Sequence, residues 1–383
     1  MPKPKTKLTI SAENSSTPAV EVEIEDVGPE MAAAFQGLYA HHYLHQPMDW
    51  NGFHTAAVAY FDTVRGDSEG HSAYLNNFTR VWVNLLNEGQ TAAALRIWPR
   101  SLEPAYAWEA NHPSERIHKG SPYYFWGGTA VLAGDLDLGF LLVHQAFEED
   151  KLDTALESPD LPAWKFVALE DTSPQQLFRP VVTSLAEFVA ERIATYNQQC
   201  GGNLTLEAFK QKLLRNTALQ DPAFYFVYAL SRARRLLQID PHLKDSVFAP
   251  LLQLNALLDF YMVLESVLQA KLPAFHQIAP LVTQFSVTYG YTVHQADASK
   301  KRPKMEIVKV AFETDPAGTL VALVNNTFAA TQLTSVEAAL AVAPPMRNYG
   351  AHKIESQPVF TTHFAELLQL SLNSIFVTIE CAY

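Results

Sequence analysis

Apolar residues recur mostly at helical spacing along this chain. Between Tyr74 and Glu88, the residues Phe78, Val81, Trp82, Leu85 and Leu86 share one helical face, which predicts an amphipathic helix. Gly89 ends it, and Thr91–Ile97 opens a second helix after a very short turn. The arrangement returns at Tyr123–Ala133 and Leu138–Glu149, joined by Gly134-Asp135-Leu136-Asp137. Both read as helical hairpins. Their order of large, small and turn-glycine positions also resembles degenerate tetratricopeptide-type units, although no clean period of about 34 residues repeats. Met31–His45, Leu185–Gln198 and Leu206–Leu214 add further helices, the last with Thr205 as its N-cap.

Beyond Asn216–Pro222, where a domain boundary is expected, Ala223–Leu237 and Pro250–Leu272 read as helices, with Pro250 in a first turn. Two runs change character: Ile307-Val-Lys-Val-Ala-Phe312 and Thr319-Leu-Val-Ala-Leu-Val324 flank Asp315-Pro-Ala-Gly and predict a small β-hairpin inserted between helices. Thr334-Ser-Val-Glu337 is a capping box opening a helix to Val342. Pro344-Pro345 is expected to end it and start another, and His363–Glu380 closes the chain. The expected fold is mainly α: a flexible segment over 1–28, a helical-hairpin domain over 29–217 and a helical bundle over 218–383.

Composition narrows the class. An apolar fraction of 48% with 18% charged residues is that of a globular chain. Pro250–Leu272, the most membrane-like stretch, is interrupted by Gln253, Asn255, Asp259, Glu265, Gln269 and Lys271, so it reads as a buried amphipathic helix. The basic start, Met1-Pro-Lys-Pro-Lys-Thr-Lys7, lacks the apolar core of a secretory signal. Two cysteines, Cys200 and Cys381, make neither a disulfide framework nor a zinc cluster, which suits a reducing cytoplasm. The net charge of -12 argues against nucleic-acid binding over the whole surface and demands a local positive site if RNA is a partner.

Several constellations have plain structural readings. His41 and His45 stand one turn apart, a metal-binding spacing, yet no Glu lies between them and a structural or surface cluster explains them. Trp82, Trp98, Trp126 and Trp164, with Tyr123, Tyr124 and Phe125, fit core packing better than a base-stacking groove. Glu21–Asp26 and Phe147-Glu148-Glu149-Asp150 read as solvated acidic faces. Arg232, Arg234 and Arg235, with Lys300, Lys301, Arg302 and Lys304, concentrate positive charge that either guides RNA or is simply solvated. Walker-type loops, Gly-x-Gly-x-x-Gly after a strand and Gly-x-Ser-x-Gly elbows are absent from the sequence.

Directly after the two prolines comes Met346-Arg347-Asn348-Tyr349-Gly350-Ala351-His352. Histidine moves a proton near neutral pH, and arginine holds a phosphate through parallel hydrogen bonds while negative charge develops. RNA carries its own nucleophile, the 2′-hydroxyl, so these two groups suffice for cleavage without a metal. On a regular helix the pair lies about 140° apart, so convergence requires either an irregular first turn or a second copy of the chain. Spacing alone is weak, because Arg65-Gly-Asp-Ser-Glu-Gly-His71 matches a similar pattern.

The placement of Arg347-Asn348 and His352 late in a helical region makes residues 218–383 resemble the HEPN superfamily of helical-bundle endoribonucleases, whose signature is Arg-x4–6-His. The resemblance implies a bundle that dimerises so that two motifs face each other, with RNA as substrate and no cofactor. It implies His352 as acid and base, Arg347 as phosphate clamp, Asn348 as a hydrogen-bonding helper and Tyr349 as a stacking or positioning residue. Glu265, on the long upstream helix, is the expected carboxylate that orients Arg347. The N-terminal region would then sense a signal or bind a partner, as in toxin and phage-defence systems. The alternative is a non-catalytic scaffold that dimerises and binds protein or RNA.

Overall fold

The computed structural model describes residues 4–11, 19–152, 160–239, 243, 246–352 and 357–383, with the side chains of 350–352 outside the description. The described residues are mainly helical, with one two-stranded antiparallel sheet. They divide into two compact units, 1–163 with 171–179 and 164–170 with 180–383.

In the first unit, β1 (Lys5–Ile10) pairs with β2 (Val20–Glu25) in a register running from Lys5 opposite Glu25 to Ile10 opposite Val20. The expectation of a flexible start is thus corrected for these residues. Period-two alternation sends Leu8, Ile10 and Ile24 inward while Lys7, Glu21 and Glu23 stay exposed. A lone two-stranded ribbon is marginal in water. Here buried Asn77 anchors it, accepting from the Glu25 backbone N–H at 2.9 Å and donating to the Glu25 carbonyl at 3.0 Å.

The helices of this unit are α1 (Gly28–Leu44), α2 (Trp50–Thr63), α3 (Ser68–Asn87), α4 (Thr91–Asn111), α5 (Gly120–Ala133) and α6 (Leu136–Lys151). Both expected hairpins form, as α3–α4 and α5–α6. Gly134 takes a left-handed φ of 93° at the second turn, and Asp135 caps α6 by accepting from the Leu138 N–H at 3.1 Å. Gly127 and Gly139 set the α5–α6 spacing: a Cβ on Gly127 would lie 2.8 Å from the Gly139 carbonyl oxygen.

Trp82 and Trp98 are buried against Phe125, and the Trp82 indole donates to Thr129 Oγ1 at 2.8 Å, which fits the packing reading of the aromatics. The acidic run at 147–150 is a correction. Glu149 and Asp150 are buried rather than solvated, Glu149 paired with Arg116 and Asp150 with His118 at 2.8 Å.

After α7 (Pro162–Val167), α8 (Arg179–Cys200) and α9 (Leu206–Phe209) begin the second unit's main run, and α9 continues through a π-helical turn, Lys210–Leu214. Thr205 caps α9 as expected, accepting from Ala208 N–H at 3.1 Å. The remaining helices are α10 (Gln220–Leu236), α11 (Ala249–Lys271), α12 (Ile278–Tyr289), α13 (Lys304–Thr314), α14 (Pro316–Val324), α15 (Ser335–His352), α16 (Val359–Thr362) and α17 (Phe364–Ala382).

The division therefore falls some 40 residues before the expected boundary at 216–222. Its cause is the packing of α8 on α17. Gln369 Nε2 donates to the Arg192 carbonyl at 3.0 Å, Asn373 Nδ2 to Gln199 Oε1 at 3.2 Å, and the Tyr196 hydroxyl to Glu380 Oε2 at 2.5 Å.

The expected hairpin over 307–324 is also corrected, because both runs are helical. Asp315 caps α14 by accepting from Gly318 N–H at 2.9 Å, and Pro316 sits in the first turn, where its missing N–H costs nothing. Ile307, Val308 and Phe312, then Thr319, Leu320 and Leu323, are buried at helical spacing.

The Thr334–Glu337 capping box closes reciprocally, at 3.0 and 3.2 Å. Pro344 and Pro345 do not end α15 as expected. They lie inside it, buried, and the helix runs on to His352. Helices α11 and α17 are long and apolar enough to cross a membrane by length and composition alone, with 61% and 78% of their most apolar windows buried within the protein.

Candidate active site on α11 and α15

Helix α11 supplies two acidic side chains, Asp259 and Glu265, that each fix an arginine from a neighbouring helix. Asp259 faces α10. Its carboxylate is 6% exposed, accepts from Arg232 Nη1 at 2.5 Å through one oxygen, and accepts from the Tyr225 hydroxyl at 2.7 Å through the other. The Arg232 guanidinium also lies over the Tyr228 ring, 5.4 Å from its centroid. Burial first, then the hydrogen bond to Asp259, push the Tyr225 hydroxyl far above its ordinary pKa. Arg232 was expected either to guide RNA or to be simply solvated; its guanidinium is instead tied into a mostly buried ion pair.

Glu265, one and two-thirds turns further along α11, meets Arg347 on α15. Arg347 Nε donates to Glu265 Oε2 at 3.1 Å, with the two side chains 30% and 22% exposed. Among the described residues this is the only hydrogen bond or ion pair of Arg347, so both terminal nitrogens and their N–H groups remain unused. The carboxylate sits on the long edge-side nitrogen and leaves the outer fork facing partly open surface, a geometry suited to a phosphate.

The other motif residues fall on different sides of α15. Asn348 is exposed and lines a small cleft of about 180 Å³ with Lys309, Phe312, Glu313 and Tyr349. Tyr349 is buried; its ring meets Phe312 edge-on at 5.4 Å and its hydroxyl accepts from Gln357 Nε2 at 2.9 Å. That ring is occupied by packing and is not free to stack on a base. His352 ends α15, but its side chain lies outside the described residues. Arg347 stands in the fourth turn of the helix and not in an irregular first turn as one expectation had it, so helical geometry leaves Arg347 and His352 about 140° apart and about 7.5 Å along the axis.

Of the remaining basic candidates, Arg234 is half-buried and Arg235 exposed at the C-terminal end of α10, where positive charge also complements the helix dipole. Lys300, Lys301 and Arg302 are exposed on the loop before α13. That loop is built and not slack: Asp297 accepts from the Ser299 and Lys300 N–H groups at 2.9 and 3.0 Å and from Thr331 Oγ1 at 2.7 Å. The hydrogen bonds from Ser299 and Thr331 hold the Asp297 carboxyl well below the usual carboxylate range.

Lys309 was missed by sequence reading because it stood inside a run taken for a strand. Had 307–312 been read as a helix, Lys309 would have fallen on its polar face, beside Asn348. The second Arg–His match behaves differently: Arg65 pairs with Glu115, and His71 is buried in α3. No family model, no curated protein and no solved structure matches this chain.

Proposed function

We propose that the second unit is a metal-independent endoribonuclease of HEPN type, acting through Arg347 and His352. The observation that carries this reading is the way Arg347 is held: anchored through Nε by Glu265, with its terminal N–H groups uncommitted among the described residues. A guanidinium fixed on one edge loses less freedom when it grips a phosphate with the other, and its charge cannot be lost by titration.

In the proposed reaction, a base (the His352 imidazole) takes the proton of the ribose 2′-hydroxyl. The oxygen attacks the adjacent phosphorus, Arg347 stabilises the charge building on the phosphate oxygens, and the 5′-oxygen of the next nucleotide leaves with the proton that the His352 imidazolium returns. The products are a 2′,3′-cyclic phosphate and a 5′-hydroxyl. The angle of about 140° between the two residues on one helix favours a site completed by a second copy, with His352 of one chain serving a phosphate held by Arg347 of the other. The exposed Lys300–Arg302 loop supplies local positive charge in a chain that is otherwise acidic.

A scaffold reading has one observation in its favour, since Arg347–Glu265 also serves as an ordinary tie between α11 and α15. The two are separated by incubating purified protein with RNA in EDTA and analysing the new termini. The nuclease reading expects cyclic-phosphate ends, lost in His352→Ala while folding and oligomeric state are kept. Cleavage that survives His352→Ala, or that vanishes with chelator, overturns it.

A further inference from the structure

The first unit holds a cavity of about 360 Å³ formed by α1, α2, α3 and α4. Its charged lining residues are both cationic, Arg96 and Arg100, beside His41, His42, His45 and Gln90, with no carboxylate among the lining residues. This is a positive recess in a chain of net charge -12. Arg96 and Arg100 lie four apart on α4, so their side chains rise from the same face about one turn apart. Arg96 is exposed and makes no hydrogen bond or ion pair among the described residues. Arg100 is partly engaged, bonded to Glu103 at 3.0 Å and lying over the Trp50 ring at 5.6 Å.

His42 supplies the second, independent sign of a ligand. Its side chain is 3% exposed, it lines the cavity, and neither ring nitrogen has a hydrogen-bond partner. Glu88 is the nearest carboxylate, 3.5 Å from His42 Nε2 without hydrogen-bond geometry, and it accepts from Gln90 Nε2 at 2.8 Å. An orphaned buried imidazole is costly unless something reaches it. Burial, ahead of the opposing pull of Glu88, lowers the pKa of His42, so the ring stays neutral near pH 7 with one N–H to donate and one nitrogen to accept. His41 Nδ1 is engaged by the Gln46 carbonyl at 2.6 Å, which fixes that ring at the rim. No three His, Cys, Asp or Glu among the described residues are placed to hold a metal ion.

The rest of the lining is apolar or flat: Leu38, Val81, Leu85 and Ile97, with the Trp50 indole at one side. The amino end of α4 also opens here, and Gln90 provides no side-chain cap, which adds the positive end of a 21-residue helix. A volume near 360 Å³ is at the small end of ligand sites, the size of a mononucleotide and too small for a folded partner.

We infer that this cavity binds a small organic phosphate of nucleoside-monophosphate size, its phosphate on Arg96 and Arg100, its flat ring beside Trp50 and its polar edge on His42. The first unit would then be a ligand-responsive module. The inference is independent of the nuclease reading.

The test is isothermal titration of the full-length protein with three probes: adenosine 5′-monophosphate, inorganic phosphate and adenosine. Adenosine 5′-monophosphate is expected to bind at one site per chain and more tightly than either fragment. Arg96→Ala/Arg100→Ala should weaken it by at least about tenfold, because two charge-assisted contacts are lost. Both arginines are exposed, so the melting temperature of the unliganded variant should match that of the parent, and Arg179→Ala, away from the cavity, should bind as the parent does. No binding at millimolar nucleotide, equal affinity for inorganic phosphate, or an affinity unchanged in the double variant would overturn the inference.

Discussion

Arg232 and Arg347 are both held by acidic residues of one helix, six positions apart, yet they are different chemical objects. Arg232 gives a terminal nitrogen to Asp259, a carboxylate 6% exposed and shared with Tyr225, and covers the Tyr228 ring. Arg347 gives Nε to Glu265, at 3.1 Å with both side chains partly exposed, and among the described residues keeps its outer fork. What an arginine can do is set by which of its N–H groups the protein has already spent, and not by its charge, which is the same in both. The first is built to hold α10 against α11. The second, in the reaction proposed above, meets the phosphate.

The sharpest way to break this contrast is to remove the proton-transfer partner on the open side. His352→Ala is expected to lower RNA cleavage by about 10²–10⁴-fold, the usual scale of a general acid–base group, with the melting temperature unchanged. Arg347→Ala should follow with a loss of about 10²–10³-fold, the scale for removing a donor aimed at developing charge, read as the rate constant on a labelled RNA under single-turnover conditions. A fall of that size in Arg232→Ala, measured per folded molecule, would erase the distinction.

Arg232→Ala instead belongs to stability. It takes from the buried Asp259 carboxylate the guanidinium that pairs with it, and denaturant unfolding should show a loss of about 2–3 kcal/mol. Asp259→Asn should lose a similar or smaller amount, since the amide keeps one acceptor. An Arg232→Ala variant as stable as the parent would mean that the buried pair contributes nothing.

Glu265→Gln should have the smallest effect. A partly exposed pair contributes about 0.2–1 kcal/mol, so the protein stays folded, and cleavage falls only a few-fold through loosened positioning of Arg347. Hydrogen bonding separates this role from a structural one: a positioning acceptor predicts that Glu265→Gln retains more activity than Glu265→Ala at equal stability.

Much of the helical architecture was legible from spacing. The α3–α4 and α5–α6 hairpins, the α11 helix with its early proline, the Thr205 cap and the Thr334–Glu337 box all form where the pattern puts them. Local rules suffice there because the apolar face, the cap and the breaker agree. They fail where β-branched residues fill a helix.

Ile307–Phe312 and Thr319–Val324 carry strand-like composition, and only Asp315-Pro316, which is an N-cap and first turn as readily as a β-turn, marked the helix start. The reverse error fell on Val20-Glu-Val-Glu-Ile-Glu25, whose strict alternation is a strand signal hidden by its acidic charge. Pro344-Pro345 lie within α15 because burial on both sides outweighs the two missing backbone donors.

The pairing of Glu265 with Arg347 was an expectation drawn from a facing helix. The structure brings the two together. The side-by-side contrast with Asp259–Arg232 was not legible, because both pairs look alike as letters and differ only in depth and in the nitrogen used. The cavity beneath His42 was invisible for the same reason: His41, His42 and His45 suggested a metal spacing, whereas the charge sign of the pocket comes from Arg96 and Arg100, some fifty residues later.

In the proposed reaction Arg347 and His352 cleave RNA by activating its own 2′-hydroxyl. The most direct measurement uses the cut site mapped on a natural RNA, then a matched strand carrying a single 2′-deoxynucleotide 5′ to that site, both incubated with the protein in EDTA. The natural RNA is expected to be cut to a 2′,3′-cyclic phosphate and a 5′-hydroxyl, and the deoxy-substituted site to stay intact. Cutting of the deoxy site at a comparable rate, or no cutting of either strand, would contradict it.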